Sequence, residues 1–336
     1  MQLTVPDRTP DAGLDAAHAA VEEGLLKATQ SDVPFITDAA RRLLRSPAPR
    51  LRPLLVLLAA RFGDPDAPGV VPAAVVVELT HRATHCHDEV RDEAGVRRRG
   101  PGAAVRPAPD AHWDNTVAVL TGDVLFARAS HLLAGLGPQA VRLQAEAFKQ
   151  LVTGQILETA GPPEGCDPAA HHLAVLTGRC GALTAVSGRL GALTSGAGPA
   201  VADALARYGE RLGVARRLAT EADLTPAPVP LPAPALAPGR RPTLPLVLLR
   251  SRDAAGAGGD ADRELYEWLT AEPGGRDRDP AAPVRLRSHP VLAETRREAA
   301  RQADAARAAL SPLPDGPAKS ALEELCRSAV RRPAAP

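Results

Sequence analysis

Aromatic residues are scarce in this chain: four Phe, two Tyr and two Trp among 336 residues, 2% of the total. That argues against the stacking platform with which proteins hold single-stranded nucleic acid. An excess of either charge is lacking as well. Lys plus Arg number 40 and Asp plus Glu 39, so the formal net charge is +1. No bulk field then draws the protein to nucleic acid or anionic lipid. Cysteine is sparse, and Cys86, Cys166, Cys180 and Cys326 lie far apart without a C-x-x-C pair. Neither a disulfide framework nor a zinc ribbon follows from that spacing. Long apolar runs are missing too: LLVLLAA at 54–60 falls far short of the ~20 residues that span a bilayer. The opening MQLTVPDRTPDAG carries acids and prolines where a secretory signal needs a basic start and an apolar run. The expectation is a reduced, cytoplasmic protein with no nucleic-acid partner and no integral membrane association.

What is present is Ala and Leu, from Asp15 to about Leu224, with apolar positions recurring at helical intervals. In 139–159, Val141, Ala145, Phe148, Val152 and Ile156 form one stripe, with Arg142, Glu146 and Lys149 off it. Segments 71–93 and 116–135 are apolar on more than one face, as in helices surrounded by other helices. Alternating strand patterns are hard to find, so the fold class is all-α. Gly and Pro break the pattern at 63–69, 97–111, 161–168 and 195–199. The stretch 225–242 holds seven prolines and cannot be a regular helix interior. A second stretch, 251–290, is expected to be irregular around one short helical piece near Glu264–Thr270, and both stretches should pack poorly. Two helices should follow, at about 291–310 and 317–331. The organisation is thus an N-terminal segment with a first helix (1–35), a helical core (36–250) and a divergent C-terminal part (251–336).

The most informative segment is ELTHRATHCHDEVRDE, 78–93. Residues four apart on a helix share a face about 5–6 Å apart, so Asp88 and Asp92 project side by side, with Glu89 one position round. Carboxylates clustered this way suit Mg²⁺, which keeps several waters and takes one or two carboxylates plus substrate phosphates. By spacing alone, a solvated acidic helix end paired with Arg91 and the arginines after it is an equal alternative. His81 and His85, four apart, could begin a zinc site, but no H-E-x-x-H and no distant third ligand accompanies them or His87. Arginines cluster at RLRP (50–53) and VRRRG (96–100), one on each side of the acidic helix. Clustered Arg recognises phosphate through charge-assisted, bidentate bonds, although a solvated surface run is its commoner fate.

In this order the segments resemble the trans-polyprenyl diphosphate synthase family. PAPRLRPLLVLLAA (47–60) is similar to that family's G-G-K-R-x-R-P opening, and ELTHRATHCHDEVRD (78–92) to its E-L-x-H-x-x-x-x-x-H-D-D-x-x-D helix. Arg98-Arg99-Gly100 stands at its R-R-G turn, and WDNTVAVLTGDVL (113–125) matches W-x-N-x-x-A-[IV]-L-x-G-D-x-L. GQILE (154–158), YGERLGVA (208–215) and RPTLPLVLL (241–249) continue the likeness through about residue 250.

The resemblance implies an isoprenoid-synthase-type bundle of helices around a central apolar cavity. It implies a Mg²⁺-dependent prenyltransferase that condenses an allylic prenyl diphosphate with isopentenyl diphosphate. Asp88, Glu89 and Asp92 would be the metal-binding residues of the first Asp-rich motif. Arg98, Arg179 and Arg217 would bind the allylic diphosphate, and Arg50, His81 and Arg99 the isopentenyl diphosphate. Ala83 and Thr84 stand four or five residues before the first aspartate, where a bulky aromatic would close the cavity floor in short-chain members. Both are small, so medium or long chains should fit. The partners implied are a second copy, or a homologous synthase, held through the helix around 116–135.

The departures from the family pattern are specific. Pro49 replaces the Lys of G-G-K-R. The second Asp-rich motif, F-Q-x-x-D-D-x-x-D, reads Arg216-Arg217-Leu218-Ala219-Thr220-Glu221-Ala222-Asp223-Leu224. Only Thr220, Glu221 and an off-register Asp223 remain of that platform, while arginines stand at its Phe and Gln. Retained diphosphate binding is consistent with this, and three functions follow: prenyl transfer, a non-catalytic or regulatory subunit, or a class I terpene cyclase. The last normally needs an N/D-x-x-S/T-x-x-x-E motif, which 199–226 lacks.

Overall fold

The computed structural model describes residues 12–44, 50–97, 108–223, 242–254, 256, 258–270 and 282–330, excepting the side chains of 89–97, 108–114, 268 and 282–283. Among the described residues every regular element is helical. In chain order these are α1 (Ala12–Ala28), α2 (Pro34–Leu43), α3 (Leu51–Ala60), α4 (Val70–Arg97), α5 (Ala108–Ala134), α6 (Pro138–Ala160) and α7 (Pro168–Leu176). A π-helical turn, Thr177–Gly181, runs into α8 (Ala182–Thr194). Then come α9 (Pro199–Ala222), α10 (Leu244–Ala254), α11 (Gly259–Thr270), α12 (Ala282–Ser288), α13 (Pro290–Ala309) and α14 (Pro317–Val330). Proline opens α6, α7, α9 and α13, where its missing N–H is no loss and its fixed φ suits a first turn. At α7, Asp167 accepts the amides of Ala169 and Ala170 and so satisfies two of the free N–H groups of that end.

The LLVLLAA run forms the centre of the bundle: α3 is buried from Pro53 to Ala60. Around it Leu25 of α1, Leu79 of α4, Leu125 of α5, Leu183 of α8, Leu205 of α9 and Leu322 of α14 belong to one apolar cluster. The α8–α9 seam is close because Gly209 has no side chain; a Cβ there would stand 2.2 Å from the Thr184 carbonyl oxygen. Tyr208 donates its buried hydroxyl to the Leu322 carbonyl at 2.8 Å. Burial pushes this phenol well above its ordinary pKa. On α13, Gln302 accepts from Arg211 at 3.1 Å and Arg296 donates to the Ala222 carbonyl at 3.2 Å. The last two helices, expected as a divergent appendage, are therefore bolted to α9.

Two expectations are corrected. The stretch 251–290 carries α11 and α12, and Leu265, Leu269 and Leu286 are buried with Leu249, Val291 and Leu292 in a second small cluster. Sparse but well-spaced leucines suffice there, because α10 and α13 bring their own apolar faces. The other proline-rich stretch, 225–242, lies outside the described residues except for Pro242. In α6 the buried residues are Ala140, Gln144, Ala147, Leu151 and Gly154. The strongest apolar stripe of this helix points the other way: Val141 is 40% and Ile156 62% exposed. Periodicity shows that a stripe exists; the face it turns to is set by neighbours, here by the fit of small residues against α8 and the buried Gln144–Thr80 hydrogen bond at 2.8 Å.

The seam makes a stability prediction. An Ala at 209 gains helix propensity but forces its methyl against a backbone oxygen, so overpacking wins by about 1–3 kcal/mol. Gly209→Ala should lower the midpoint of thermal unfolding; an unchanged or raised midpoint would refute the close seam.

Candidate active site

The acidic end of α4, α6, the π-helical turn, the start of α3 and the end of α9 meet at one place. Asp88 is held there by two donors: Gln155 Nε2 to Oδ1 at 3.0 Å and Arg179 Nη2 to Oδ2 at 2.9 Å. Arg179 also donates through Nη1 to Glu158 Oε1 at 2.5 Å. One planar guanidinium thus bridges carboxylates from α4 and α6, a geometry that Lys could not copy with a single ammonium. The π-helical turn presents it, and Gly154 lets that turn approach: a Cβ on Gly154 would lie 2.9 Å from the Arg179 amide nitrogen. Inserted π turns of this kind often accompany functional sites. Gln155 and Glu158 are not singled out by the sequence, yet both lie in GQILE, one turn apart, the first on Asp88 and the second on the arginine that holds it.

A second set of charges surrounds the first turn of α3. Arg50 donates to Glu22 at 2.8 and 3.2 Å, to Glu78 at 3.1 Å and to the Leu44 carbonyl at 2.7 Å. Its neighbour Arg82 reaches the same Glu78 oxygen at 2.8 Å. Two carboxylates therefore already answer Arg50, the residue that the resemblance assigned to isopentenyl diphosphate. His81 lies between these arginines. Burial first, then Arg52, Arg82, His85 and Arg50, hold its imidazole well below the ordinary pKa, so it is neutral near pH 7. His85 meets it edge-on with ring centroids 6.2 Å apart, while His87 turns to α5 with Nε2 3.3 Å from Asp123 Oδ1. The histidines thus point to different neighbours, and no group of three or more His, Cys, Asp or Glu suited to a metal occurs among the described residues.

At the end of α9 the remnant of the second motif is structural. Glu221 is buried and accepts from His172 Nε2 at 3.1 Å, Arg217 Nε at 2.9 Å and the Leu244 amide at 2.8 Å. Burial alone would raise its pKa, but His172, Arg217 and that amide outweigh it and hold the carboxyl below its usual value. With its lone pairs spoken for, Glu221 pins α7 and α10 onto α9 and does not fit a metal ligand. Thr220 is exposed and donates to the Arg216 carbonyl at 2.9 Å, and Asp223 caps the helix end. Arg217 is paired, whereas Arg52 and Arg216 each keep a buried nitrogen, Nε and Nη1, without a hydrogen-bond partner among the described residues.

The first motif fits a hard cation better. Asp88 is a carboxylate in the C-terminal half of α4, and Asp92 lies one turn further along the same helix. Oxygen donors in that register suit a divalent ion that keeps its waters. The side chains of Glu89 and Asp92 lie outside the described residues, as do Arg98 and Arg99 entirely. Ala83 and Thr84 are both buried, and the Thr84 hydroxyl donates to the His81 carbonyl at 2.9 Å.

Known proteins resemble this chain in sequence and in fold. The model of the polyprenyl synthetase family matches residues 33–218. A nonaprenyl diphosphate synthase of Mycobacterium tuberculosis is 35% identical over 96% of this chain and 94% of its own length. A heptaprenyl diphosphate synthase component 2 of Geobacillus stearothermophilus is 42% identical over 41% of this chain and 42% of its own. The structure superposes on a geranylgeranyl pyrophosphate synthase from Corynebacterium glutamicum, complexed with calcium and isoprenyl diphosphate. Its TM-score is 0.80 at 34% identity, covering 97% of this chain and 98% of that one.

The Glu221 clamp has a pH signature. A carboxyl whose folded pKa is depressed adds stability that is present above the unfolded value and lost as pH falls through the folded one. Resistance of the native chain to urea should therefore fall as pH drops below about 4.5. Glu221→Gln should cost about 3 kcal/mol at pH 7 through the broken buried pairs and flatten that acid slope. An identical slope in both proteins would remove the clamp.

Proposed function

The chain belongs to the polyprenyl synthetase family, and from that premise we propose that it is a prenyltransferase joining an allylic prenyl diphosphate to isopentenyl diphosphate. The observation that supports this best is Asp88 in the C-terminal half of α4, oriented by Gln155 and faced by Arg179. Asp88, Asp92 and Glu89 would hold Mg²⁺, which neutralises the diphosphate as the allylic C–O bond ionises. Arg179 supplies fixed positive charge beside that position. It needs little reorganisation, because the π turn and the carboxylates of Asp88 and Glu158 already hold it in place. Arg98, Arg99 and Arg217 are the further diphosphate arginines of this reading, and neutral His81 can donate a hydrogen bond to isopentenyl diphosphate without adding charge. Arg50, tied to Glu22 and Glu78, fixes the start of α3 against α1 and α4.

The product should be long. Ala83 and Thr84 put no bulk one turn before Asp88, and each buried CH₂ of a growing chain gains about 0.8 kcal/mol. Relatives named for nonaprenyl and octaprenyl products support that length.

The working unit should be a pair, and we assign the contact to the outer face of α5 and α6. Leu120 is 58% and Ile156 62% exposed, beside Val119 and Val141. The stretch Asn115–Ala134 is long and apolar enough to cross a membrane, and most of it is uncovered by the rest of the chain. Phe126 and Phe148 join the two helices, with ring centroids 4.7 Å apart, into one platform. A second copy, or a homologous synthase with the same face, would cover it; soluble and cytoplasmic placement goes with that reading.

Incubation with Mg²⁺, labelled isopentenyl diphosphate and allylic primers should yield products longer than fifteen carbons. A ten- or fifteen-carbon product alone would defeat the chain-length assignment. Asp88→Ala should lower turnover on the order of 10²-fold, as for loss of one preorganised transition-state contact, and retained Mg²⁺ dependence at full rate would defeat the metal assignment. In light scattering, Leu120→Asp with Ile156→Asp should convert a dimer to a monomer. A native chain that is monomeric alone and pairs only with a homologous synthase would instead fix the partner as that homologue.

A further inference from the structure

His87, just ahead of Asp88, and the Gly122-Asp123 step of α5 take no part in the reaction assigned above, yet the structure puts them together. His87 lies over α5 where Gly122 leaves room: a Cβ on Gly122 would stand 2.6 Å from His87 Nε2 and 2.8 Å from its Cδ2. Nε2 is 3.3 Å from the Val119 carbonyl oxygen and 3.3 Å from Asp123 Oδ1. A carbonyl and a carboxylate only accept, so Nε2 carries the hydrogen and donates. The next residue, Asp88, points about 100° round the helix and is taken by Gln155 of α6 and Arg179 of the π turn. Consecutive side chains thus hold α4 from two sides at one level, which fixes its rotation about its own axis. The backbone that carries Asp92, one turn on, follows the same rotation.

We propose that His87 is a positioning residue: seated on Gly122 by Val119 and Asp123, it sets the rotation of α4 and thereby the direction in which Asp88 meets a divalent metal. The proposal rests on the metal-dependent prenyl transfer assigned above and gives a task to the Gly-Asp step of WDNTVAVLTGDVL. The contact is suited to direction rather than to stability. The side chains of His87 and Asp123 are 41% and 60% exposed, and a pair so open to water contributes little to folding. A misdirected ligand costs more: removing the groups that orient a metal's ligands lowers affinity by about 10–100-fold.

The test is Mn²⁺ binding to the full chain, followed by the electron paramagnetic resonance of the free ion, in parallel with thermal unfolding. Asp88→Ala should lower Mn²⁺ affinity and so mark the site. His87→Ala should lower it about 10-fold, while the unfolding midpoint moves by less than about 2 °C. His87→Gln places an amide nitrogen near the position of Nε2 and should keep most of the affinity; His87→Asn, too short to reach Val119, should not. Gly122→Ala should match His87→Ala, and the double variant should be no worse than either, because both break one seat. In turnover, His87→Ala should raise the Mg²⁺ concentration for half-maximal rate, and at saturating Mg²⁺ the KM for isopentenyl diphosphate should hold. Unchanged Mn²⁺ affinity in His87→Ala, equal affinities in the Gln and Asn variants, or additive losses in the double variant would each overturn the proposal. So would a large drop in the unfolding midpoint of His87→Ala, which would reduce His87 to a packing residue. Unchanged affinity in Asp88→Ala would instead strike the metal assignment itself, and the proposal with it.

Discussion

A guanidinium removed from water must meet an anion, and much of this molecule is arranged to satisfy that requirement. Arg50 ties α1 to α4 through Glu22 and Glu78, Arg179 ties the π turn to α4 and α6, and the Glu221 site ties α7, α9 and α10 together. Removing one member of a buried pair costs about 3–5 kcal/mol, because the other is left unmatched. The same contacts that close the bundle at this end therefore also fix which charges are satisfied within the chain. Structure and chemistry share their residues here.

Close backbone packing makes that arrangement possible. Gly209 brings α9 onto α8, and Gly154 brings the π turn onto α6, so Arg179 emerges at the level of Asp88. The extra residue of a π turn rotates the side chains that follow. A regular helix through Thr177–Gly181 would aim Arg179 elsewhere and take it from the Asp88 carboxylate.

The second motif shows how a catalytic position can become a structural one. Glu221 keeps a carboxylate at a motif position, yet His172 from α7 and the first amide of α10 take its lone pairs. What a ligand oxygen would offer to a cation is here offered to the fold, and positive charge from Arg216 and Arg217 has entered the same turn. Elsewhere the logic is hydrophobic: α6 buries small residues such as Ala140, Ala147 and Gly154 and leaves Val141 and Ile156 exposed, as α5 leaves Leu120.

Helical periodicity, breaker residues and motif order were enough to determine an all-α chain, the position of the core run 54–60, the two last helices and the polar segment 78–93 that carries Asp88. These are local properties, set by spacing of 3.6 residues and by what Pro and Gly permit. Partners of charges were not legible, because Arg50–Glu22, Asp88–Arg179 and His172–Glu221 join residues 28, 91 and 49 positions apart. Nor could spacing tell which face of α6 is covered, or that Leu265 and Leu286 find a common core within a stretch expected to be irregular. Which cation meets which carboxylate depends on helices meeting in space. Only the tertiary structure decided that, because both burial and Coulomb energy are functions of distance rather than of sequence separation.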